Sequence, residues 1–320
     1  MKTIVLVPTG EGVGLTSACL GLIFALESQG IKAGFLKPFS QEQHDTTADR
    51  TTALFRHVSK NETVEPIAYS KIIQQINADQ SDELLEAAVH LHRQIAKNHD
   101  VIIVEGLVPN GRDAFASELN AQLAQALDAK VVIVSNADIQ NPVAAAEKVE
   151  GQLRHLGGAS NSRTAGVLFM RTKGLSEESA QIPVTMDPNL RLVDDTSNFV
   201  QAIQKTHPQI GSEKLPVIGL VPFSNTLSVP RMSDIAQHIQ AEWINLGEAQ
   251  QRRVLHSSLI ASNIAHELHK FVAGELIISA SDRIDVLLAG SLASSNGIPL
   301  AGLVLTEQYA PNPQVMDFCQ

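Results

Sequence analysis

Short runs of apolar, β-branched residues alternate with longer segments of helical period along the chain. Six such runs occur before residue 222, at residues 4–7, 33–36, 101–104, 131–134, 166–169 and 217–221. Apolar strands separated by helices are typical of a parallel sheet that is covered on both faces. The pattern therefore predicts an α/β fold with a doubly wound parallel sheet. Helices are expected to begin near Leu15, Thr47, Asp82, Asp113 and Pro142, the last with Asn141 as its cap.

The pattern changes in the last part of the chain. Residues 174–209 are mostly polar and contain three prolines, which predicts an insertion of variable geometry around a short helix. After Pro222 the alternation restarts, with strands expected at 254–260, 275–279 and 301–306 and helices at 233–240, 263–272 and 284–294. We therefore expect a large domain over residues 1–225 and a second, smaller α/β domain over residues 226–320.

The carboxyl end of the sequence has the features of a helix start. Asn312 and Pro313 suit the cap and the first position of a helix, and an apolar stripe has only begun when the sequence ends at Gln320. We therefore expect the native polypeptide to continue past Gln320.

The composition and net charge of the chain limit the classes of molecule that it is expected to bind. The chain is 44% hydrophobic and 18% charged, and its net charge of −10 comes without any run of Lys or Arg. This excludes a typical nucleic-acid or anionic-membrane surface. No apolar stretch approaches the roughly 20 residues that a membrane-spanning helix needs. Cys19 and Cys319 form no paired spacing, as is usual in a reducing compartment, so we expect a soluble, cytoplasmic protein.

A glycine-rich segment, VPTGEGVGLTS, follows the first predicted strand and opens the first helix. Its candidate binding residues are Thr9, Gly10, Gly12, Gly14, Thr16 and Ser17. Backbone N–H groups and a helix dipole in this context can cradle a phosphate group. The complete motif has a lysine that neutralises phosphate charge, and here Leu15 stands in its place while Glu11 adds repulsion. We expect a degenerate phosphate loop without ATP hydrolysis, which either binds small anions or only makes a tight turn.

Three charged residues are expected near the same edge of the sheet. Lys37 follows the second strand, Asp49 lies in the next loop and Glu105 closes the third strand. Ligands bind in the crevice where the carboxyl ends of such strands meet. Two interpretations stay open: these residues form a possible ligand crevice, or they form a satisfied surface ion-pair cluster.

Other polar motifs carry less weight. The histidines of residues 266–269 are three apart, whereas a zinc protease needs them four apart, and those of residues 90–92 are two apart on a helix. Neither pair predicts a metal site. The acids of residues 282–285 precede a helix, where capping is a simpler explanation than ligand contact. No serine lies in a nucleophile-elbow pattern, and we assign no catalytic residue.

These motifs resemble the amino-terminal region of long-form bacterial phosphate acetyltransferases, which is itself similar to dethiobiotin synthetase. The resemblance rests on IVLVPTGEGVGLTSACLGL, FLKPFSQ, ADRTTAL, VIIVEGLVP, VVIVSNAD and PVIGLVPFS in this order. The Gly-Leu-Thr of residues 14–16 is a feature that the acetyltransferases share. LIISASDRIDVLLAGSL and GIPLAGLVLTEQY resemble the DRTGG domain that follows in that family. The chain departs from the family at 306–308, where Thr-Glu-Gln replaces Thr-Gly-Gly, and at 170–171, where Met-Arg replaces a frequent Asn-Lys.

The resemblance implies a sheet of the P-loop NTPase or dethiobiotin synthetase type, followed by a DRTGG-like domain. In that family the acetyl-transfer site lies in a separate domain, which would follow residue 320 and would bind acetyl-CoA, CoA and phosphate. This chain would then need no cofactor of its own. It would support assembly of a homo-oligomer, a hexamer in the full-length enzyme, and tuning by a small-metabolite effector. Two alternatives stay open: an ATP-dependent enzyme that uses Thr16, Lys37 and Glu105, and a scaffold without a ligand.

Overall fold

The computed structural model describes residues 1–42, 48–59, 63–159, 161–174, 194–306 and 313–319. The chain divides into two compact units, Met1–Phe223 and Ser224–Gln320. Each unit is built around a parallel β-sheet, with six strands in the first and three in the second among the described residues. The predicted fold class, a doubly wound α/β sheet with a second and smaller α/β unit, is confirmed.

The sheet of the first unit contains all six predicted strands. These are β1 (Lys2–Pro8), β2 (Ala33–Leu36), β3 (Val101–Glu105), β4 (Lys130–Asp138), β5 (Thr164–Lys173) and β6 (Val217–Pro222). Their order in the sheet is β2-β3-β1-β4-β5-β6, and every pairing is parallel. The chain therefore reverses its direction of travel across the sheet beside β1, and this switch point is where such sheets bind ligands.

Helices connect these strands. They are α1 (Leu15–Ser28), α2 (Arg50–Val58), α3 (Tyr69–Asn77), α4 (Ser81–Ala96), α5 (Ala116–Ala126), α6 (Pro142–His155) and α7 (Asp194–Thr206). The start of α6 is as predicted, because the Asn141 side chain accepts a hydrogen bond from the Ala144 N–H. Thr47 lies outside the described residues, and α2 begins at Arg50. The helix expected near Asp113 is α5, which begins three residues later at Ala116.

Apolar residues cover both faces of the six-stranded sheet. Alternate residues of a strand point to opposite faces, and Val5 and Leu6 accordingly belong to different core clusters. One cluster packs the sheet against α3 to α7, and the other packs it against α1 and α2. Within the predicted insertion of residues 174–209, residues 175–193 lie outside the described residues, and α7 occupies most of the remainder.

The second unit repeats the strand-helix alternation on a smaller scale. Its strands, in the order β7-β8-β9, are β7 (His256–Leu259), β8 (Glu275–Ala280) and β9 (Gly302–Thr306). Its helices are α8 (Asn225–Ser228), α9 (Met232–His238), α10 (Ile264–Glu267), α11 (Ile284–Ser295) and α12 (Pro313–Cys319). The long helix predicted over 263–272 is instead α10 followed by a short 3₁₀ turn. Among the described residues of both units, no helix is long and apolar enough to cross a membrane.

Candidate functional site

The glycine-rich segment makes a tight turn from β1 into α1. Gly12 and Gly14 have φ angles of +68° and +83°, in the left-handed region that glycine enters without a steric cost. Gly14 caps α1, and no side chain of the described residues accepts a hydrogen bond at this cap. Gly10 differs, because its φ is not positive and a Cβ atom there would meet open space. The turn therefore depends on two of the three glycines.

Apolar and hydroxyl side chains fix the loop to the sheet. The Thr9 N–H donates to the Val134 carbonyl oxygen, and the Thr9 hydroxyl donates to Ser135 Oγ, both at 2.9 Å. Val13 and Leu15 are buried in the core cluster beside α1. Leu15 stands where the complete motif has a lysine. Because its side chain packs into the core, it fixes the loop to the core and offers no positive charge to a phosphate group. Thr16 is half-buried and Ser17 is exposed.

Arg171 lies against this loop, a contact that no sequence motif identifies. A Cβ atom on Gly14 would lie 3.5 Å from Arg171 Cγ. Arg171 has a φ of +51°, which is uncommon for a non-glycine residue, at an irregularity in the pairing of β5 with β6. Its guanidinium carbon lies 5.0 Å from the centroid of the Phe223 ring, within cation–π range. The neighbouring Met170 is buried in the core.

The three charged residues predicted for the crevice lie together. Lys37 Nζ is 2.9 Å from Asp49 Oδ2 and 3.7 Å from Glu105 Oε1, and it donates to the Thr51 hydroxyl at 3.4 Å. The side chains of Lys37, Asp49 and Glu105 are 11%, 2% and 6% exposed. They form one ion cluster that is buried, so the prediction of an ion-pair cluster at the surface is wrong. We refer to Lys37, Asp49 and Glu105 as the buried ion cluster.

The Asp49 carboxylate accepts three hydrogen bonds in addition to its ion pair with Lys37. It caps α2, with Oδ1 accepting from the N–H and the hydroxyl of Thr52 at 3.0 and 3.1 Å. Oδ2 accepts from the Ser40 hydroxyl at 3.1 Å. Burial alone would raise the pKa of Asp49, but the Lys37 ammonium and these donors outweigh it and hold the pKa below its usual range. Asp49 is therefore ionised at neutral pH.

The pKa of Glu105 is shifted in the opposite direction to that of Asp49. Its burial raises the pKa of the carboxyl group, and the Lys37 charge and the hydroxyls of Thr16 and Thr51 offset only part of this rise. Oε2 has no hydrogen-bond partner among the described residues. Burial and the neighbouring Glu105 carboxylate together raise the pKa of the Cys19 thiol on α1. Thr16 and Cys19 thus connect the loop helix α1 to the buried ion cluster.

The backbone that follows Glu105 at the end of β3 is held by buried contacts. The Asn120 side chain donates to the Leu107 carbonyl oxygen and accepts from the Leu107 N–H, both at 2.8 Å, and it is fully buried. A Cβ atom on Gly106 would lie 2.8 Å from the Leu6 carbonyl oxygen, so only glycine fits there. The backbone next to Glu105 is therefore closely packed against β1 and α5.

Asp113 lies three residues before α5 and joins two loops at the same edge of the sheet. Its carboxylate accepts hydrogen bonds from the Gln41 amide at 2.8 Å, the Tyr69 hydroxyl at 2.8 Å and the Asn110 amide at 3.1 Å. Gln41 also exchanges two hydrogen bonds with the Val108 backbone. This network was not predicted, because its members come from segments that are distant in the sequence.

The weaker motifs serve structural purposes. In the second unit Arg283 takes the cap position of α11 without a side-chain cap hydrogen bond, and of the predicted acids Asp285 lies in the first turn. The Arg283 guanidinium, together with backbone N–H groups at this helix start, lowers the pKa of Asp285. Arg283 pairs with Asp285 and donates to the Ser262 carbonyl oxygen at 2.9 Å. In the first unit His92 is buried and shares a hydrogen bond of 2.9 Å with Thr3. The described ranges contain no group of three or more His, Cys, Asp or Glu that suits a metal ion.

Two family models match the chain. The first, described as an AAA domain, matches residues 2–231. The chain belongs to this AAA domain family. The second model, described as a DRTGG domain, matches residues 234–320. The AAA domain and the DRTGG domain thus follow one another in the order that the sequence motifs predict.

Curated relatives support the same assignment. The phosphate acetyltransferase of Acinetobacter baylyi is 65% identical over 320 residues, and that of Haemophilus influenzae is 35% identical over 322 residues. Each match covers all of this chain and 44% of the relative, so the chain spans less than half the length of these relatives. The predicted resemblance to the amino-terminal region of phosphate acetyltransferases is confirmed.

One solved structure gives a distant comparison. The signal recognition particle 54 kDa protein of Aeropyrum pernix, in complex with GDP, is 13% identical with a TM-score of 0.37. That match covers 64% of this chain and 39% of the other. A likeness at this level supports no inference about function.

Proposed function

We propose that this AAA domain protein is a non-catalytic, amino-terminal regulatory and oligomerisation region of a phosphate acetyltransferase. The enzyme would interconvert acetyl-CoA and phosphate with acetyl phosphate and CoA through a domain outside these 320 residues. The chain would assemble with copies of itself, to a hexamer in the full-length enzyme, and would bind a small-metabolite effector. It would hold no cofactor of its own, and its place would be the cytoplasm.

The observation that carries this proposal is the burial of Leu15 at the lysine position of the phosphate loop. A cation at that position neutralises the charge of the β- and γ-phosphates, and an aliphatic side chain in the core cannot do so. The exposed Glu11 places a negative charge on the same loop. A loop of this kind is suited to holding a small anion at the start of α1 and is unsuited to ATP hydrolysis.

The buried ion cluster argues against a catalytic site. Lys37 satisfies Asp49 at 2.9 Å within the protein, so the lysine is already engaged. The active P-loop fold would also use a magnesium ion near Thr16 and Glu105. These residues fit that ion poorly, because the Lys37 ammonium already supplies the positive charge beside both carboxylates. Thr16 and Cys19 connect the cluster to α1, so an anion bound at the loop would act on residues that contact the cluster.

Three measurements on the purified chain test the proposal. We expect no phosphate-dependent release of CoA from acetyl-CoA, and we expect sedimentation to show a species larger than a monomer. In a thermal-shift screen of small phosphorylated and carboxylate metabolites, at least one should raise the midpoint of unfolding. Release of CoA would contradict the non-catalytic assignment. A monomer at every protein concentration would contradict the oligomerisation role.

A second candidate function is an ATP-dependent enzyme of the dethiobiotin synthetase type. The observation in its favour is that Thr16 and Lys37 both interact with the Glu105 carboxyl group. Leu15 argues against it, since the lost charge-assisted contact is worth about 1.5 to 3 kcal/mol, or roughly a tenfold to hundredfold in affinity.

Calorimetry with Mg-ATP on the wild type and on Leu15→Lys separates the two functions. We expect weak or undetectable binding by the wild type and tighter binding by the variant. Micromolar binding that the substitution leaves unchanged would show that the site never depended on a lysine, and it would favour the second candidate.

A further inference from the structure

The sequence contains Asn-Gly pairs at residues 110–111 and 296–297. Because glycine has no side chain, its backbone nitrogen can approach the side-chain amide of the asparagine before it. Attack of this nitrogen on the amide carbon is the route by which such pairs lose ammonia. The structure places Asn110 after β3 in the first unit and Asn296 at the end of α11 in the second, in different surroundings.

The second pair forms the exposed end of α11. Asn296 is the last cap residue of this helix, with φ −79° and ψ 8°, and Gly297 follows with a φ of +82° in the left-handed region. Both residues are exposed. The Gly297 N–H donates to the Ser294 carbonyl oxygen at 2.9 Å. The Ile298 N–H donates to the Ala293 carbonyl oxygen at 3.0 Å, which completes a Schellman motif.

The side chain of Asn296 is not held in place. Its amide group makes no hydrogen bond within the part of the chain that the structure describes. A Cβ atom on Gly297 would meet no atom within 4 Å, so the space around the attacking nitrogen is open. Attack requires rotation about ψ of Asn296, which breaks the Gly297–Ser294 hydrogen bond. Water can replace this bond at an exposed helix end, and such ends fray.

The side chain of Asn110, in contrast, is held by three hydrogen bonds. Its Oδ1 accepts from the N–H groups of Arg112 and Asp113 at 2.9 and 2.7 Å, and its Nδ2 donates to Asp113 Oδ2 at 3.1 Å. Asp113 is 3% exposed and also accepts from Gln41 and Tyr69. Attack on Asn110 would require these bonds to open, so the fold protects this pair.

We propose that Asn296 is a site of spontaneous deamidation in the folded protein. The Gly297 backbone nitrogen forms a bond to Asn296 Cγ, the bond from Cγ to Nδ2 breaks, and Nδ2 leaves as ammonia with the proton of the backbone nitrogen. Water then opens the cyclic imide at either carbonyl group, which gives aspartate or isoaspartate. This inference goes beyond the proposed function and involves neither the phosphate loop nor acetyl transfer.

The product alters the end of the helix. A carboxylate at residue 296 lies at the negative end of the α11 dipole, and the last turn of this helix contains no basic residue. Isoaspartate also adds a methylene group to the backbone, which is incompatible with the two hydrogen bonds of the Schellman motif. The modified second unit is therefore less stable than the original one.

Peptide mapping by mass spectrometry tests the proposal on the purified chain, incubated in a mildly alkaline buffer with and without urea. In the folded chain we expect Asn296 to deamidate at least about tenfold faster than Asn110, whose hydrogen bonds must open first. In urea that unfolds the chain, the two rates should become similar. No product at Asn296, or equal rates in the folded chain, would overturn the proposal. A difference that persists in urea would also overturn it, because neighbouring residues and not the fold would then be its cause.

Variants at residue 296 test the effect on the second unit, which contains Trp243 as a fluorescent probe. Asn296→Asp supplies one product directly, and Asn296→Ser is the matched control that cannot deamidate. We expect Asn296→Asp and the incubated wild type to unfold at a lower urea concentration than the fresh wild type. Incubation should leave the midpoint of Asn296→Ser unchanged. An equal loss of stability in incubated Asn296→Ser would overturn the assignment of this loss to Asn296.

Discussion

Both units of the chain place an acid beside a basic side chain near the carboxyl end of a parallel strand, yet the two arrangements differ in burial. In the first unit Lys37 lies between Asp49 and Glu105, and the three side chains are at most 11% exposed. In the second unit Arg283 donates to both carboxylate oxygens of Asp285, at 2.8 and 2.7 Å. Those two side chains are 25% and 41% exposed.

This difference in burial determines how much each arrangement contributes to the free energy of unfolding. Removing one partner of a buried ion cluster leaves a charge that neither water nor protein compensates. An exposed pair has water as an alternative partner and is screened by salt, so its loss changes little. The first unit therefore depends on the buried ion cluster for its stability. The Arg283–Asp285 pair lies beside the loop after β7 and contributes little to the stability of the second unit.

The largest expected effect is that of Lys37→Met, which keeps the length of the side chain and removes its charge. Asp49 and Glu105 would then share a buried site without a cation. We expect the first unit to lose about 3 to 5 kcal/mol of unfolding free energy at neutral pH. Urea denaturation followed by far-UV circular dichroism measures this loss.

A charge-neutral variant is the control for that prediction. Combining Lys37→Met with Asp49→Asn and Glu105→Gln removes every charge of the cluster, and much of the lost stability should return. A loss of less than about 1 kcal/mol in the single variant would be typical of a surface pair, and it would contradict the burial on which the comparison depends.

A smaller effect is expected from Glu105→Gln, and it should appear as a change in pH dependence. The folded-state pKa of Glu105 lies above its ordinary value, so the folded chain binds this proton more tightly than the unfolded chain. Its contribution to stability is complete below the unfolded-state pKa and is lost as the pH rises through the raised pKa. We therefore expect the wild type to lose stability over that range and the variant to lack this component.

Urea titrations of both proteins at a series of pH values from about 4.5 to 8 measure this component. The pKa of Asp49 is lowered below its ordinary value, so Asp49 stays ionised over this range and adds little to the pH dependence. Parallel curves for the wild type and Glu105→Gln would contradict the assignment of a raised pKa to this carboxyl group.

Much of the fold could be predicted from the sequence because the strands of a doubly covered parallel sheet are continuous apolar runs. All six runs of the first unit are strands, and the glycine-rich turn lies where its motif indicates. Helix α3 was missed, since its cap position is Ala68 and no side chain signals the start. A helix without a polar cap is difficult to find from its sequence alone.

The residues of the candidate site could be predicted from the sequence, but their burial and their contacts could not. Lys37, Asp49 and Glu105 follow from the rule that strand ends converge, but their burial depends on how α1 and α2 pack over them. Arg171 lies against the phosphate loop and has a positive φ at an irregular pairing of strands, which no sequence pattern indicates. Asp113 has partners in other segments, and its local sequence resembles a helix start. Contacts of this kind depend on tertiary structure and leave no periodic signal.

The smallest expected effect is that of Asp285→Asn in the second unit. Arg283 keeps its hydrogen bond to the Ser262 carbonyl oxygen in this variant, and water can take the place of the lost carboxylate charge. Only a slight fall in the urea midpoint is therefore expected at low ionic strength. Trp243 is the chain's single tryptophan and lies in the second unit, so its fluorescence follows the unfolding of that unit.

Salt sharpens the contrast between the two arrangements. At about 1 M NaCl the screening length falls to roughly 3 Å, so the difference between the wild type and Asp285→Asn should vanish. The deficit of Lys37→Met should persist in the same buffer, because ions do not penetrate to side chains that are so little exposed. A large, salt-resistant deficit for Asp285→Asn would show that this pair is as much a part of its unit's interior as the buried ion cluster, and the distinction drawn from burial would fail.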